Sequence, residues 1–351
     1  MVFYRKYRPQ KISELDSEQV RTSLTSILTA KEVPHAFLFT GPRGLGKTSS
    51  ARILAKTLNC QNKKDGQACN ICEQCVSITN GANVDVLEID AASNRGIDEI
   101  RDLREKVKLA PATALYKVYI IDEVHMLTTE AFNALLKMLE EPPAHVVFIL
   151  CTTEVHKVPE TIRSRCFSVS FKKATDKELS RSLKRIIAGE GMESQIDDTA
   201  ILEIAKFSDG SFRDASKYLE VAVLRQGNKK ITQEVVLDLL GNNIFSGDFV
   251  TALKKKQTKE ALVWLQRAVE NGLNIKAWIE DLLGGFHNKL LLYYKVEGGP
   301  VAKELDGLTE QEVKKLITLF TRAHQEMRTA VIAQLPAEIA IIEYCETRED
   351  N

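Results

Sequence analysis

Long apolar runs are missing from this 351-residue chain. The longest, such as Val146–Cys151, are about a third of the roughly 18 residues that a membrane-spanning helix needs, and the opening MVFYRKYRPQ has no apolar signal core. The expectation is therefore a cytoplasmic protein with no membrane partner. An excess of one charge is missing too: Lys plus Arg and Asp plus Glu number 48 each, divided 23 against 20 over residues 1–172, 11 against 12 over 173–241 and 14 against 16 over 242–351. No segment has the basic surplus of a protein that grips nucleic acid by itself, so any DNA contact must come from a small patch or from several subunits together. Cysteine is scarce, with seven residues, of which four fall between positions 60 and 75 and three are scattered. That distribution suggests a metal site in a reducing cytosol better than a disulfide framework. No Gly-, Ser-, Pro- or Gln-rich tract suggests a disordered tail, and no repeat suggests a solenoid. What is present is an ordinary globular balance, 44% hydrophobic and 27% charged, in a chain long enough for two or three domains.

From residue 35 onward, short apolar runs alternate with helical patterns. HAFLFT (35–40) leads to a helix from Lys47, VDVLEI (84–89) to a helix near 97–108, and KVYIID (117–122) to a helix near 128–140. HVVFILC (145–151) leads to a short helix near 159–164, and FSVSF (167–171) ends the series. Five strands with intervening helices imply an α/β fold with a five-stranded parallel sheet covered on both faces. Residues 175–240 read as helices, with an acidic start at Thr175, Asp176 and Glu178, apolar spacing at Leu179, Leu183, Ile186 and Ile187, and a stop at Gly189 and Gly191. After a turn signal at Gly241, Asn242 and Asn243 the rest is helical, with Val313, Leu316, Ile317, Phe320, Ala323, Met327 and Val331 at three- and four-residue spacing. The expected domains are 1–172, 173–241 and 242–351.

Gly41, Pro42, Arg43, Gly44, Leu45, Gly46, Lys47 and Thr48 fit G-x-x-x-x-G-K-[ST] between a strand and a helix. Glycines let the backbone N–H groups face phosphate oxygens, and the helix amino terminus adds its positive dipole end. Lys47 reaches the β and γ phosphates, and Thr48 offers a hydroxyl to Mg²⁺. Ser49, next on the helix, joins the nucleotide contacts. Asp122 and Glu123 end the KVYIID strand, where parallel sheets bind ligands; Asp122 would hold the magnesium and Glu123 would orient the attacking water. Thr152 and Thr153 follow HVVFILC, where a hydroxyl could touch the γ-phosphate or the water, or simply end a strand. Arg165, between Ser164 and Cys166, could stabilise a transferring phosphoryl group or be a surface charge.

Cys60, Cys69, Cys72 and Cys75 form C-x8-C-x2-C-x2-C in an insertion at about 60–80, between the phosphate-loop helix and the second strand. Tetrahedral, structural Zn²⁺ suits four thiolates at these spacings, and an iron–sulfur cluster is the competing occupant. Asn62, Lys63, Lys64 and Asp65 spell N-K-x-D, but a guanine-reading loop must follow a late strand, so this reads as a solvated loop of the insertion.

Together, YRKYRPQKISEL, the phosphate loop, the four cysteines, EIDAAS, VYIIDEVHML, CTTEVHKVPETIRSRC and GSFRDA resemble AAA+ ATPases of the clamp-loader class, and most closely the tau/gamma family of bacterial DNA polymerase III subunits. The resemblance implies an AAA+ core with a zinc insertion, a small helical lid and an all-α oligomerisation collar. It implies that Arg165 is a finger acting in trans on a neighbour's ATP, and that Thr153 and Arg213 are sensor residues. Tyr7, Arg8 and Pro9 would pack near the adenine, while Asn94, Arg95, Arg101 and Lys137 would face DNA. The chain departs from the family at Leu15, Asp16, Ser17 and Glu18, where V-G-Q-E is usual. It stops at Asn351, just past the collar, and so is expected to be a short form or part of a longer chain.

The implied function is ATP hydrolysis, with Mg²⁺, in a DNA polymerase III clamp loader. Its partners would be the delta and delta-prime subunits, further copies of itself, the sliding clamp and primer–template DNA. The rivals are a ring ATPase of the branch-migration type, which has no need of the cysteine insertion, and a structural loader subunit that does not hydrolyse ATP, against which the intact loop argues.

Overall fold

The computed structural model describes residues 2–29, 32–94, 96, 103, 105–227, 229–241, 247–270, 273–296, 299, 301–327 and 329–346. Two compact units divide the chain, Met1–Val236 and Leu237–Asn351. The first is built on five parallel strands, β1 (Ala36–Thr40), β2 (Val86–Asp90), β3 (Lys117–Asp122), β4 (Val146–Thr152) and β5 (Phe167–Ser170), in the order β2-β3-β4-β1-β5. The expected parallel α/β sheet is borne out, with β2 beginning two residues later than the apolar run suggested.

Alternation along each strand explains how both faces are covered. Phe37, Phe39, Val118, Ile120, Val147 and Ile149 point to one side, where they pack with Leu54 and Leu58 of the phosphate-loop helix Lys47–Asn59. Leu38, Tyr119, Ile121, Phe148 and Leu150 point to the other and meet Phe132, Leu135 and Leu139 of the helix Thr129–Glu140. Burying both faces leaves little room for polar residues in the central strands except at their ends, hence the near-continuous apolar runs at β1, β3 and β4. The helix Glu18–Thr29 joins the first face through Val20, Leu24 and Ile27, whose helical spacing lies ahead of the first strand and was not part of the sequence reading. The helix expected near 97–108 falls largely outside the described residues.

After β5 come the helices Asp176–Glu190, Asp198–Phe207 and Phe212–Gln226. Thr175 and Glu178 form a reciprocal capping box at the first, and Leu179, Leu183, Ile186 and Ile187 are all buried. The stop is Gly191, with φ of +70°, and not Gly189, which lies inside the helix. Gly189 serves another purpose: a Cβ there would fall 2.3 Å from Cε1 of Tyr7, so its missing side chain is the space that the Tyr7 ring occupies.

The second unit is helical, with Gly247–Lys254, Thr258–Glu270, Ile275–Tyr293, Glu310–Glu326 and Leu335–Glu346 around a core of Phe249, Trp278, Phe286 and Phe320. Val313, Leu316, Phe320 and Ala323 face that core as expected. Val331 does not: the helix ends at Glu326, and Val331 is fully exposed in the following turn. Among the described residues no helix is long and apolar enough to cross a membrane.

Immediately before β2, Asp85 is 1% exposed and accepts hydrogen bonds from the backbone N–H groups of Ala112 (2.8 Å), Thr113 (2.8 Å) and Ala114 (3.0 Å), which anchors the segment leading into β3. Burial acts to raise the carboxyl pKa, and the three N–H donors outweigh it to leave the group below its ordinary value. Such a group stabilises the fold above its unfolded pKa, and that contribution is lost as pH falls through the folded value. Asp85→Ala should therefore cost about 2 kcal/mol or more at pH 7 by leaving buried donors unpaired. In denaturant melts the gap from the parent chain should narrow on acidification below about pH 4; a gap that widens there would contradict the assignment.

Candidate nucleotide site and cysteine cluster

The ends of β1, β3 and β4 converge on one cavity of about 1190 Å³, with the sheet edge on one side and the start of the helix Phe212–Gln226 on the other. The loop from Gly41 curls as its glycines allow, with φ of +143° at Gly41, +84° at Gly44 and +86° at Gly46. A side chain at Gly41 would strike the Phe171 carbonyl oxygen at 2.1 Å, and one at Gly44 the Ser211 hydroxyl at 2.1 Å. The loop thus packs against both the segment after β5 and the third helix that follows it. Lys47 is 6% exposed and folds back to donate to the carbonyls of Gly41 (2.7 Å) and Pro42 (2.8 Å). Burial lowers its ammonium pKa, opposed by the nearby carboxylates of Glu123 and Asp122.

Thr48 donates to Asp122 Oδ2 at 2.8 Å, joining the first turn of the phosphate-loop helix to the end of β3. The adjacent Glu123 has φ of +48°, and its N–H donates to Asp122 Oδ1 at 3.0 Å. Glu123 Oε2 accepts from the Thr153 hydroxyl at 3.0 Å and from the Thr153 N–H at 3.3 Å. Thr152 is fully buried as the last residue of β4, so only Thr153 meets the cavity. This pocket of backbone donors, a buried lysine and paired hydroxyl and carboxylate oxygens suits a magnesium–triphosphate: Thr48 and Asp122 would hold the ion, which would supply charge neutralisation.

The amino-terminal and lid residues expected near the nucleotide line the same cavity. Arg8 donates from Nε to Ser49 Oγ at 2.7 Å, and Tyr7, Pro9, Arg43, Leu45 and Gly46 complete that wall. Arg213 lies across the cavity with its guanidinium 5.1 Å from the Tyr4 ring centroid, while its N–H donates to the Gly44 carbonyl at 3.3 Å. Arg165 is elsewhere. Its guanidinium donates to the Thr161 carbonyl at 2.7 Å and to Glu140 Oε1 at 2.8 Å, and it does not line this chain's cavity. Asn94 follows β2 and donates to the Asp90 carbonyl at 3.0 Å, Lys137 is exposed on the helix Thr129–Glu140, and Arg95 and Arg101 lie outside the described residues.

Cys60, Cys69, Cys72 and Cys75 place their sulfurs within 4.8 Å of one another. The Cys60 sulfur accepts from the Cys69 N–H and the Cys69 sulfur from the Cys72 N–H, both at 3.3 Å. Backbone donors from Ile71 and Cys72 hold the Cys69 thiol down to about 6, while burial pushes Cys75 up. Four convergent sulfurs, with N–H donors suited to thiolates, fit a closed four-coordinate metal site. Asn62, Lys63, Lys64 and Asp65 are exposed in the turn between Cys60 and Cys69 and do not reach the nucleotide cavity.

Sequence reasoning attached no role to four residues the geometry brings forward. Asp16 is 8% exposed and pairs with Arg185 at 2.8 Å. Lys56 is buried beneath the cysteine insertion. His125 stands beside Glu123 and Thr152, at 3.4 Å and 3.0 Å. A polar residue at an otherwise apolar helical position was the available signal for Lys56; for Asp16 and Arg185, far apart in sequence, there was none.

Comparison with known proteins separates these arrangements from a generic phosphate-loop fold. DNA polymerase III subunit tau of Bacillus subtilis is 39% identical over 99% of this chain. Over nearly its whole length the chain is similar to the tau/gamma subunits of bacterial DNA polymerase III. Subunit tau of Escherichia coli is 37% identical over 82% of the chain. The chain spans 64% of the length of the Bacillus protein and 44% of that of the Escherichia one. A family profile described as DNA polymerase III, delta subunit, matches residues 16–175. Among solved structures, the RuvB Holliday junction branch migration motor of Thermotoga maritima aligns with a TM-score of 0.51 at 20% identity, covering 83% of this chain and 99% of that one. At that identity the likeness bears on fold alone, and it agrees with the expected α/β core.

The glycine geometry orders two substitutions. Gly41→Ala meets backbone that cannot yield, whereas Gly46→Ala meets nothing within 4 Å and suffers only its left-handed φ. Gly46→Ala should cost about 1–2 kcal/mol and Gly41→Ala clearly more, as read from denaturant midpoints. Equal losses would show that the Phe171 contact is not limiting.

Proposed function

We propose that this chain is the ATP-hydrolysing motor subunit of a bacterial DNA polymerase III clamp loader, an ATPase that works within the polymerase holoenzyme in the cytoplasm. The observation that carries the reading is the convergence of Lys47, Thr48, Asp122, Glu123 and Thr153 on one cavity in a chain similar to the tau/gamma subunits. Residues 1–172 would form the nucleotide-binding core, 173–241 the lid and 242–351 the collar. ATP bound between neighbouring subunits would hold an assembly with delta, delta-prime and further copies of this chain that opens the sliding clamp. Primer–template DNA, met by Asn94, Arg95, Arg101 and Lys137, would trigger hydrolysis and release.

Each residue's part in the reaction follows from its position. Phosphate oxygens would compete with the Gly41 and Pro42 carbonyls for the three N–H bonds of Lys47, so this lysine acts in binding. Glu123, at the rim of β3 beside Thr153, would orient water in line with the γ-phosphorus and accept its proton as the bond to the β–γ bridging oxygen breaks and ADP leaves. Arg165, turned away from its own cavity, is available to a neighbour's ATP once its Glu140 pairing gives way. That pair is exposed and weak, about 0.2–1 kcal/mol, so releasing it costs little.

Lys47→Ala should weaken ATP binding, whereas Glu123→Gln should keep ATP and lose turnover by roughly 10² or more. Arg165→Ala should lose turnover on the order of 10³-fold at a dependent interface, and mixing it with Lys47→Ala chains should restore some activity, since one chain brings an intact pocket and the other an intact finger. With subunit exchange confirmed by mass, failure of that rescue counts against action in trans. Full turnover should require both clamp and primed DNA; a motor of the branch-migration type would be stimulated by DNA without clamp.

The cysteine cluster is proposed to hold one structural Zn²⁺. Elemental analysis should find about one zinc per chain, and chelation should unfold the insertion, because binding energy is folding energy in such sites. Iron with a visible charge-transfer band would overturn the choice of metal.

A further inference from the structure

We propose that His125 is a positioning residue for hydrolysis, linking Glu123 to Glu154 through its two ring nitrogens and so determining where the Glu123 carboxylate lies. The inference rests on Glu123 being the group that orients the attacking water.

His125 sits in the single helical turn Val124–Met126 that follows Glu123, and its side chain is only 5% exposed. Nδ1 lies 3.0 Å from Thr152 Oγ1 and 3.4 Å from Glu123 Oε2, while Nε2 lies 3.3 Å from Glu154 Oε1. An apolar side chain would fill this space as well, so packing does not account for an imidazole; three polar neighbours do. A rigid ring with a polar atom at each end spans two carboxylates that belong to different loops, one after β3 and one after β4. Glu154 is tied to the same site through its N–H, which donates to Thr152 Oγ1 at 3.0 Å, while its 2.8 Å pair with Lys157 is exposed and adds little. Thr152 Oγ1 is therefore shared by the ring and the Glu154 backbone, and the three residues move as a unit.

Glu123 is held by this unit together with Thr153. Its backbone is in the left-handed region, which costs a non-glycine residue about 1–2 kcal/mol and persists only where the surroundings enforce it. Its Oε2 meets both Thr153 and His125. Take away the ring and only the Thr153 contacts hold that oxygen, so the carboxylate can shift toward the cavity's solvent. Water orientation is sensitive to displacements of about 1 Å, which can cost on the order of 10²-fold. ATP binding relies on the phosphate loop and Lys47, which the ring does not touch. The expected signature is thus a loss of kcat with nucleotide affinity kept.

The experiment measures kcat and the Kd for ATPγS on the full-length chain assembled under conditions that give turnover. His125→Ala should lower kcat by about 10- to 100-fold with Kd changed by less than about threefold. His125→Asn, whose amide can occupy the Nδ1 position, should recover most of the rate. Glu154→Ala should fall between them, and the double variant with His125→Ala should be no slower than His125→Ala alone, the result expected of residues acting as one unit. An unchanged kcat in His125→Ala, a matching loss of ATPγS affinity, an Asn variant as slow as Ala, or multiplicative losses in the double variant would each overturn the proposal. Glu123→Gln separates the two levels: if it keeps full turnover, the role of Glu123 fails and this inference with it. If Glu123→Gln is inactive while the His125 variants are normal, only the positioning role fails. Should His125→Ala not fold, His125→Asn and Glu154→Ala still decide the matter.

Discussion

The 2.8 Å hydrogen bond from Thr48 to Asp122 joins two segments 74 residues apart in sequence, and the site exists because the sheet brings them together. That bond is possible only with β4 between β1 and β3, and with all strands running the same way, so that the loop after each strand opens on one edge. The Gly41 N–H donating to the Thr152 carbonyl at 3.2 Å fastens the phosphate loop to β4, and the N–H of Glu123 donating to Asp122 closes the turn after β3. The apolar burial on both faces of the sheet is therefore what positions the charges at its edge.

Lys56 shows a second dependence. It is 1% exposed, and its ammonium donates to three neutral oxygens, Gln10 Oε1 (2.7 Å), Asn70 Oδ1 (2.9 Å) and Thr79 Oγ1 (3.1 Å), each from a different segment. Three hydrogen bonds satisfy its donors, but burial still lowers its pKa. Four thiolates around a divalent cation would carry two negative charges next to this lysine, so the cysteine insertion and the amino-terminal segment would be joined by charge as well as by hydrogen bonds. Gln10 is two residues beyond Arg8, which contacts Ser49 at the nucleotide cavity.

The parts of the molecule legible in the sequence were those in which a single stretch carries its own signal. β1, β3 and β4 announce themselves because both sheet faces are covered, and the phosphate loop because its backbone requires glycine at fixed spacing. The four cysteines are legible because their spacing by itself limits what they can surround. Val331 shows where such reasoning ends: apolar periodicity continues past Glu326, but the chain leaves the helix, and nothing in a 3.6-residue pattern registers that exit. Gly189 is subtler. It was legible as a glycine near a helix end, yet its reason is the Tyr7 ring, more than 180 residues earlier in the chain. Contacts of that range leave no local mark, and the same holds for His125, which reads as one more polar residue after an acidic pair.

Asp16 carries this argument to the departure at Leu15–Glu18. Where the family pattern has glycine, this chain buries a carboxylate at the cavity wall, and burial raises its pKa despite two neighbouring arginines. Arg185 meets it at 2.8 Å and also donates to the Glu14 carbonyl at 2.7 Å, while Arg181 donates to the Asp16 carbonyl. Both arginines lie on the helix Asp176–Glu190, so the substitution ties the amino-terminal segment to that helix, as Lys6 with Glu190 and Tyr7 against Gly189 do farther along it. The ties are unequal. The Lys6–Glu190 pair is partly solvated and its ions are rehydrated easily, whereas Asp16 is almost wholly desolvated and would lose both Arg181 and Arg185 if the helix withdrew while the segment stayed in place. The helix and the segment therefore move together more readily than apart, and the wall of the nucleotide cavity that they form behaves as one piece.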